Sequence, residues 1–153
     1  MGSRTTNEEM VRAYTVASAG RQFDELAKLR HADWQTLWPQ SGERVVGHAC
    51  WAEIAQNYAG GTPEITPGRI VGSEDRWVVT PGNTVARIAG SGDFWWGEWR
   101  MTYPDGKVYQ CVTLLEMRDG LIWRETVYWA EPFEAPDWRR SFVEQANDAS
   151  GVA

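Results

Sequence analysis

The sharpest candidate for chemistry is Glu125, the only acid on a strand face it shares with Trp123, Val127 and Trp129. A carboxylate among apolar neighbours is desolvated. Desolvation raises its pKa toward the range in which it can take up and return a proton. A structural role is the competing reading, with Glu125 bonded to Thr113 or turned toward Arg100, because buried ion pairs also perturb carboxylates. Tyr14 is the second candidate. Its hydroxyl could donate to a carbonyl or a developing oxyanion, or it could be a core tyrosine with the hydroxyl at the rim. Trp38, Trp99, Trp129 and Trp123 could stack on a bound molecule, with Cys111, Thr113 and Val127 between them. The plainer alternative is that the tryptophans fill a core.

Other reactive residue types make weaker patterns. Asp33 sits at a helix-to-strand junction, where a capping or turn role is expected. His31 and His48 fall in or next to loops and are expected to be exposed. Two histidines and two scattered cysteines give no metal-ligand spacing, so no metal is expected. There is no G-x-G-x-x-G, P-loop or nucleophile elbow, and no cofactor is expected.

These side chains need elements to position them. Thr6 and Glu9 form a capping box that opens a helix, Met10, Ala13, Tyr14 and Ala17 recur at helical spacing, and Gly20 ends it. A short second helix carries Phe23, Leu26, Ala27 and Leu29. Trp34–Trp38 reads as a strand stopped by Pro39, Arg44–Val46 pairs back on it, and a third helix spans about Ala49–Tyr58. The pattern is β thereafter: a strand within Gly68–Thr80, another from Asn83 or Thr84, then Asp93–Tyr103 and two hairpin partners. Asp137–Gln145 reads as a closing helix. Helices followed by a long antiparallel sheet make an α+β domain with the helices on one sheet face.

The two hairpin turns set the register, and register sets which side chains share a face. Tyr103-Pro104-Asp105-Gly106-Lys107 and Met117-Arg118-Asp119-Gly120-Leu121 both read as turns with a glycine bulge. With Tyr103 opposite Lys107, Trp99 faces Cys111 and Gly97 faces Thr113. With Met117 opposite Leu121, Leu115 faces Trp123 and Thr113 faces Glu125. One face then carries Trp95, Trp99, Met101, Tyr109, Cys111, Thr113, Leu115, Trp123, Glu125, Val127 and Trp129. The other mixes aromatic and charged residues, with Glu116 able to pair Arg124, and suits a dimer interface.

Composition bounds the function. The 153 residues suit one domain, expected over 1–145 with a frayed tail over 146–153. A net charge of −6 argues against nucleic acid, which needs a basic patch. No run reaches the ~18 apolar residues of a membrane helix, and the N-terminus lacks an apolar signal region, so a cytoplasmic protein is expected. Cys50 and Cys111 read as small buried residues in a reducing compartment. Ten tryptophans are the outlier, and such an excess either fills a core or lines a cavity.

The order of these features resembles the nuclear-transport-factor-2-like superfamily in its SnoaL-like branch. The features are Val11–Ala19 with its Gly20 break, Trp34–Pro39, Gly47 before the third helix, and the closing strands from Tyr103-Pro104-Asp105-Gly106 to Arg124-Glu125-Thr126-Val127-Tyr128-Trp129-Ala130-Glu131-Pro132-Phe133. The resemblance implies a cystatin-like roll: a cone-shaped, curved antiparallel sheet wrapped around N-terminal helices, with a cavity between them, in a homodimer. It implies no single chemistry, because one fold hosts many. The ketosteroid isomerases of the superfamily place a general-base aspartate where this chain has Trp38, and an oxyanion-holding aspartate where it has Thr113. Their helix tyrosine matches Tyr14. The limonene epoxide hydrolases place an aspartate where Val127 stands, and the sheet histidines of scytalone-dehydratase-like enzymes are missing.

Two functional readings follow. One is a cofactor-free isomerase, dehydratase or cyclase acting on a small apolar molecule of polyketide, terpenoid or steroid-like character. There Glu125 moves the proton, and Tyr14 and Thr113 hold the oxyanion. The other is a ligand-binding or dimeric interaction module of the same fold without turnover. Glu125 facing open cavity favours the first, and Glu125 locked to an arginine favours the second.

Overall fold

The computed structural model describes residues 6–72, 76–79, 85–88 and 92–144. Helix α1, Asn7–Ala19, begins in the expected capping box: Thr6 accepts from the Glu9 amide while the Glu9 carboxylate accepts from the Thr6 amide at 2.7 Å. Helix α2, Phe23–Leu29, follows, and Arg30 turns extended (φ −91°, ψ 138°) to open strand β1, Arg30–Trp38. Strand β2, Glu43–Val46, returns along β1, and helix α3 covers His48–Gln56. Strands β3 (Glu64–Gly72), β4 (Arg76–Val79) and β5 (Val85–Ile88) come next. They are followed by β6 (Phe94–Thr102), β7 (Val108–Arg118) and β8 (Leu121–Ala130).

Six strands make one sheet in the order β2-β1-β8-β7-β6-β3, and β4 and β5 form a separate pair. The sheet is mixed, not wholly antiparallel, because β1 runs parallel to β8. No hairpin turn joins these two strands, so nothing local fixes their relative direction. β1 also starts four residues earlier than the helix-to-strand boundary expected at Trp34. Register shifts in β1, β3 and β8 bend the sheet into an unclosed curve, with α1 packed toward β3, and α2 and α3 toward β1.

The two hairpins differ in a way that decides the site. At the first, Tyr103 donates its amide to the Lys107 carbonyl at 2.8 Å, Gly106 takes φ +85°, and Trp99 pairs Cys111 as expected. At the second, Asp119 and Gly120 both have positive φ (53° and 77°), the signature of a two-residue loop. Arg118 therefore pairs Leu121, one residue off the expected register, and Met117 pairs Ile122. A bulge at Trp123 adds a second shift, so Glu116 pairs Arg124, Leu115 pairs Glu125 and Thr113 pairs Val127. Two single shifts restore the alternation: Glu125, Val127 and Trp129 keep the expected face, opposite different partners. Trp123 does not. It leaves the inner face and lies between Arg118 and Arg124, whose guanidinium carbons stand 3.7 and 4.9 Å from its ring centroid. Arg124 also pairs Glu116 with both nitrogens, one at 2.7 Å.

Ile122 takes the inward position beside Leu115, Met117, Trp95, Trp34, Leu26, Val11, Ala17 and Tyr14, the buried core at one end of the roll. Each large side chain buried there contributes roughly 1.5–3 kcal/mol. Helix α3 is the exception. It has no buried residue, and Cys50 on it is exposed where a buried thiol was expected. The closing helix is a short 3₁₀ segment, Asp137–Phe142. The tail expected over 146–153 lies outside the described residues.

Candidate functional site

Between the concave sheet face and the helices lies a cavity of about 420 Å³. Helix α1 contributes Tyr14 and Ser18 to its wall, and α3 contributes Trp51, Ile54 and Ala55. The sheet supplies Thr36, Trp38, Glu43, Ile65, Trp99, Met101, Cys111, Thr113, Glu125, Val127 and Trp129. Phe23 at the start of α2 and loop residues including Arg21, Ser41, Tyr58, Thr62, Pro63 and Tyr103 complete it. Eight sequence candidates thus meet in one place: Tyr14, Trp38, Trp99, Cys111, Thr113, Glu125, Val127 and Trp129. Trp123 is not in the lining, for the reason given by its bulge.

Glu125 is buried, 8 % exposed, at the inner end of this cavity. Its Oε1 accepts from the Tyr14 hydroxyl and from Trp34 Nε1 at 3.1 Å, and Arg30 Nη2 stands 3.7 Å away. Among the described residues its polar contacts all fall on Oε1, so Oε2 is the oxygen left for a cavity guest. Thr113, expected opposite Glu125, lies two pairs farther along β7, opposite Val127, and Arg100 is not the partner. The arginine is Arg30, whose side chain is 3 % exposed. Its guanidinium lies 3.7 Å from the Trp34 ring centroid and 4.1 Å from that of Trp51. Its Nε donates to the Tyr14 oxygen at 2.8 Å, and Nη1 meets His48 Nδ1 at 2.8 Å. His48, half-buried at the start of α3, is therefore not the free loop histidine expected. Its pKa is lowered by burial and then by Arg30. His31 is also half-buried, on β1, with Nε2 3.6 Å from the Asp119 carboxylate.

Arg30 has no role in the sequence pattern: it falls between Leu29 of the second helix and the strand expected from Trp34. Extending β1 back by alternation would have put it on the face of Trp34, Thr36 and Trp38. Gln40 is a second unforeseen contributor. Its side-chain amide donates to the Trp129 carbonyl and accepts from the Trp129 amide at 3.1 Å, prolonging the β1–β8 ladder by one step and holding Trp129 in the wall. Trp38 meets Trp129 edge-on at 5.9 Å between centroids. Burial pushes the Cys111 thiol up to about 11, which keeps it neutral and a poor nucleophile. Asp33 is exposed and takes no part in the wall.

Burial, and then the Glu125 carboxylate, push the Tyr14 hydroxyl well above its ordinary pKa of 10, against an opposing pull from Arg30. The native state therefore keeps a proton that the unfolded chain releases near pH 10. This contribution to stability is whole below pH 10 and is lost as pH climbs from there toward the native value, by about 1.4 kcal/mol per pH unit. Urea unfolding between pH 9 and 11 should show a fall in midpoint that Tyr14→Phe flattens. Tyr103, raised by burial and by Tyr58, supplies the residual slope in the variant.

No family model matches the chain, nor does any curated protein. Solved structures do. An NTF-2 like protein of unknown function from Burkholderia xenovorans is 28% identical, covering 92% of this chain and 94% of its own, with a TM-score of 0.69. The chain belongs to the nuclear-transport-factor-2-like superfamily. A provisionally named ketosteroid isomerase from Kribbella flavida is 26% identical over 92% of this NTF2-like chain and 89% of its own, with a TM-score of 0.71. A protein of unknown function with a cystatin-like fold from Methylobium petroleophilum, 17% identical over 86% of this chain and 80% of its own at a TM-score of 0.60, shares the fold. In this NTF2-like chain no described helix is long and apolar enough to cross a membrane. Among the described residues no group of three or more His, Cys, Asp and Glu is placed to hold a metal ion.

Proposed function

We propose that this NTF2-like protein binds a small, largely apolar molecule in the cavity, with Glu125 as its polar anchor. The observation that carries the reading is the wall itself: about 420 Å³ lined by Trp38, Trp51, Trp99, Trp129, Tyr58 and Tyr103, with one buried carboxylate at the inner end. Few polar groups in an aromatic concavity is the usual make-up of a small-molecule site. Glu125 is tied to Arg30, Tyr14 and Trp34, and Tyr14 spends its only proton on Glu125. The hydroxyl is thus not free to donate to a substrate oxyanion, which favours binding over turnover.

The second reading is cofactor-free proton transfer on the same guest, in keeping with the provisional isomerase name of the Kribbella relative. It is supported by the one-sided contacts of Glu125: with Oε1 occupied, Oε2 could reach a carbon-bound proton. A homodimer belongs to the proposal as well. Phe133, Trp138 and Phe142 are 79 %, 75 % and 82 % exposed on the segment that follows β8. Tyr128, on the outer face of β8, is 44 % exposed and leads directly into them. A second copy is the occupant these exposed aromatic side chains fit, in a cytoplasmic protein without a nucleic-acid partner.

Native mass spectrometry of the purified chain reads both at once. The expected spectrum is a dimer carrying one apolar compound per chain. A monomer would remove the dimer. A bare chain that takes up no apolar compound when challenged would remove the binding reading.

A further inference from the structure

Resting on the cavity reading, we propose that the guest is a lipophilic cation, an apolar body carrying a protonated or quaternary amine. Cys111 pairs Trp99 on one side and Trp129 on the other, so two indoles flank one small side chain on the same face. Strand spacing sets their Cα atoms about 10 Å apart, which leaves a slot the thiol does not fill. Trp38, on β1 beyond β8, meets Trp129 edge-on at 5.9 Å and extends the aromatic row by one strand. Trp99 Nε1 is buried without a hydrogen-bond partner, so what a guest meets of Trp99 is its ring. Aromatic rings grouped in this way attract a cation within about 6 Å of their centroids, and most strongly out of water.

The charges agree with the rings. Glu43 pairs Trp38 across β1 and β2 and lines the cavity at the Trp38 end of the aromatic row. Glu125 lines the inner end. The charged side chains in the described wall are these two carboxylates and Arg21, whose Nη2 donates to the Pro63 carbonyl. Arg30 offsets Glu125 from behind, stacked on Trp34 and Trp51 and outside the wall. An anionic guest would meet two carboxylates against the single guanidinium of Arg21. A neutral guest would leave the potential between the indoles and Glu43 unused.

The test is calorimetric binding of three ten-carbon probes at neutral pH, below their micelle concentrations: decyltrimethylammonium, decan-1-ol and decanoate. Decyltrimethylammonium is expected to bind about tenfold tighter than decan-1-ol, or more, with decanoate weakest. Glu43→Gln, at an exposed position, is expected to narrow the ammonium-to-alcohol ratio about threefold or more, and Trp129→Leu to abolish the preference. Decan-1-ol binding as tightly as the ammonium would overturn the cation assignment and leave the cavity standing. No binding of any probe would overturn both.

Discussion

Arg30→Met is expected to cost about 3–5 kcal/mol of stability, because it strips the counterion from a carboxylate that remains buried. In a chain of 153 residues this lowers the thermal midpoint by roughly 10 °C. The loss is larger than that of an ordinary surface ion pair for a geometric reason. Arg30 is packed against Trp34 and Trp51, bonds Tyr14 and His48, and faces Glu125, so one side chain joins α1, α3, β1 and β8. The double variant Arg30→Met with Glu125→Gln should regain about half of the loss or more, since a neutral pair leaves no orphaned charge. Differential scanning calorimetry of the four proteins closes the cycle. A single-variant loss below about 1 kcal/mol would show that water in the cavity, and not Arg30, compensates Glu125.

Glu125→Gln separates the two functional readings. The amide is nearly the same shape and its oxygen can still accept from Tyr14 and Trp34. The chain should fold, at a cost of roughly 1–3 kcal/mol for the weakened bonds to Arg30. If the protein moves protons, the compound identified by mass spectrometry should take up deuterium from heavy water in its presence, and Glu125→Gln should slow that exchange by about 100-fold or more. Wild-type protein that binds the compound and catalyses no exchange would leave Glu125 as an anchor. Exchange at the wild-type rate in the variant would take Glu125 out of the mechanism.

Much of this site could be read from the chain because strand alternation survives small errors of pairing. Glu125, Val127 and Trp129 kept their face although the β7–β8 turn is one residue shorter than its glycine suggested, because the bulge at Trp123 restored the phase. Trp123 itself fell between the two shifts and pointed the other way. Asp119-Gly120 suits a two-residue loop and Arg118-Asp119-Gly120 suits a three-residue loop with a glycine bulge, so the turn residues permit either register. Arg30 was hidden by a boundary. An arginine after Leu29 suits a helix end as well as a strand start, and only the extended backbone at that residue reveals which it is. The β1–β8 pairing was not legible for another reason: it joins strands some ninety residues apart with no turn to read.

Helix α3 buries none of its residues, yet Trp51, Ile54 and Ala55 form one wall of the cavity. Trp51 packs on Arg30, Phe23 and Trp34, while Ile54 and Ala55 border the unfilled cavity. In amide-exchange terms it is a segment anchored by few groups: Trp51 in its middle, His48 on Arg30 at one end, and the hydroxyl contact of Tyr58 with Tyr103, 3.0 Å, just beyond the other. On the binding reading, a guest would add packing along Ile54 and Ala55, so occupancy and helix order would rise together. Part of such a guest's intrinsic affinity would then go into ordering the helix, which would lower the measured affinity.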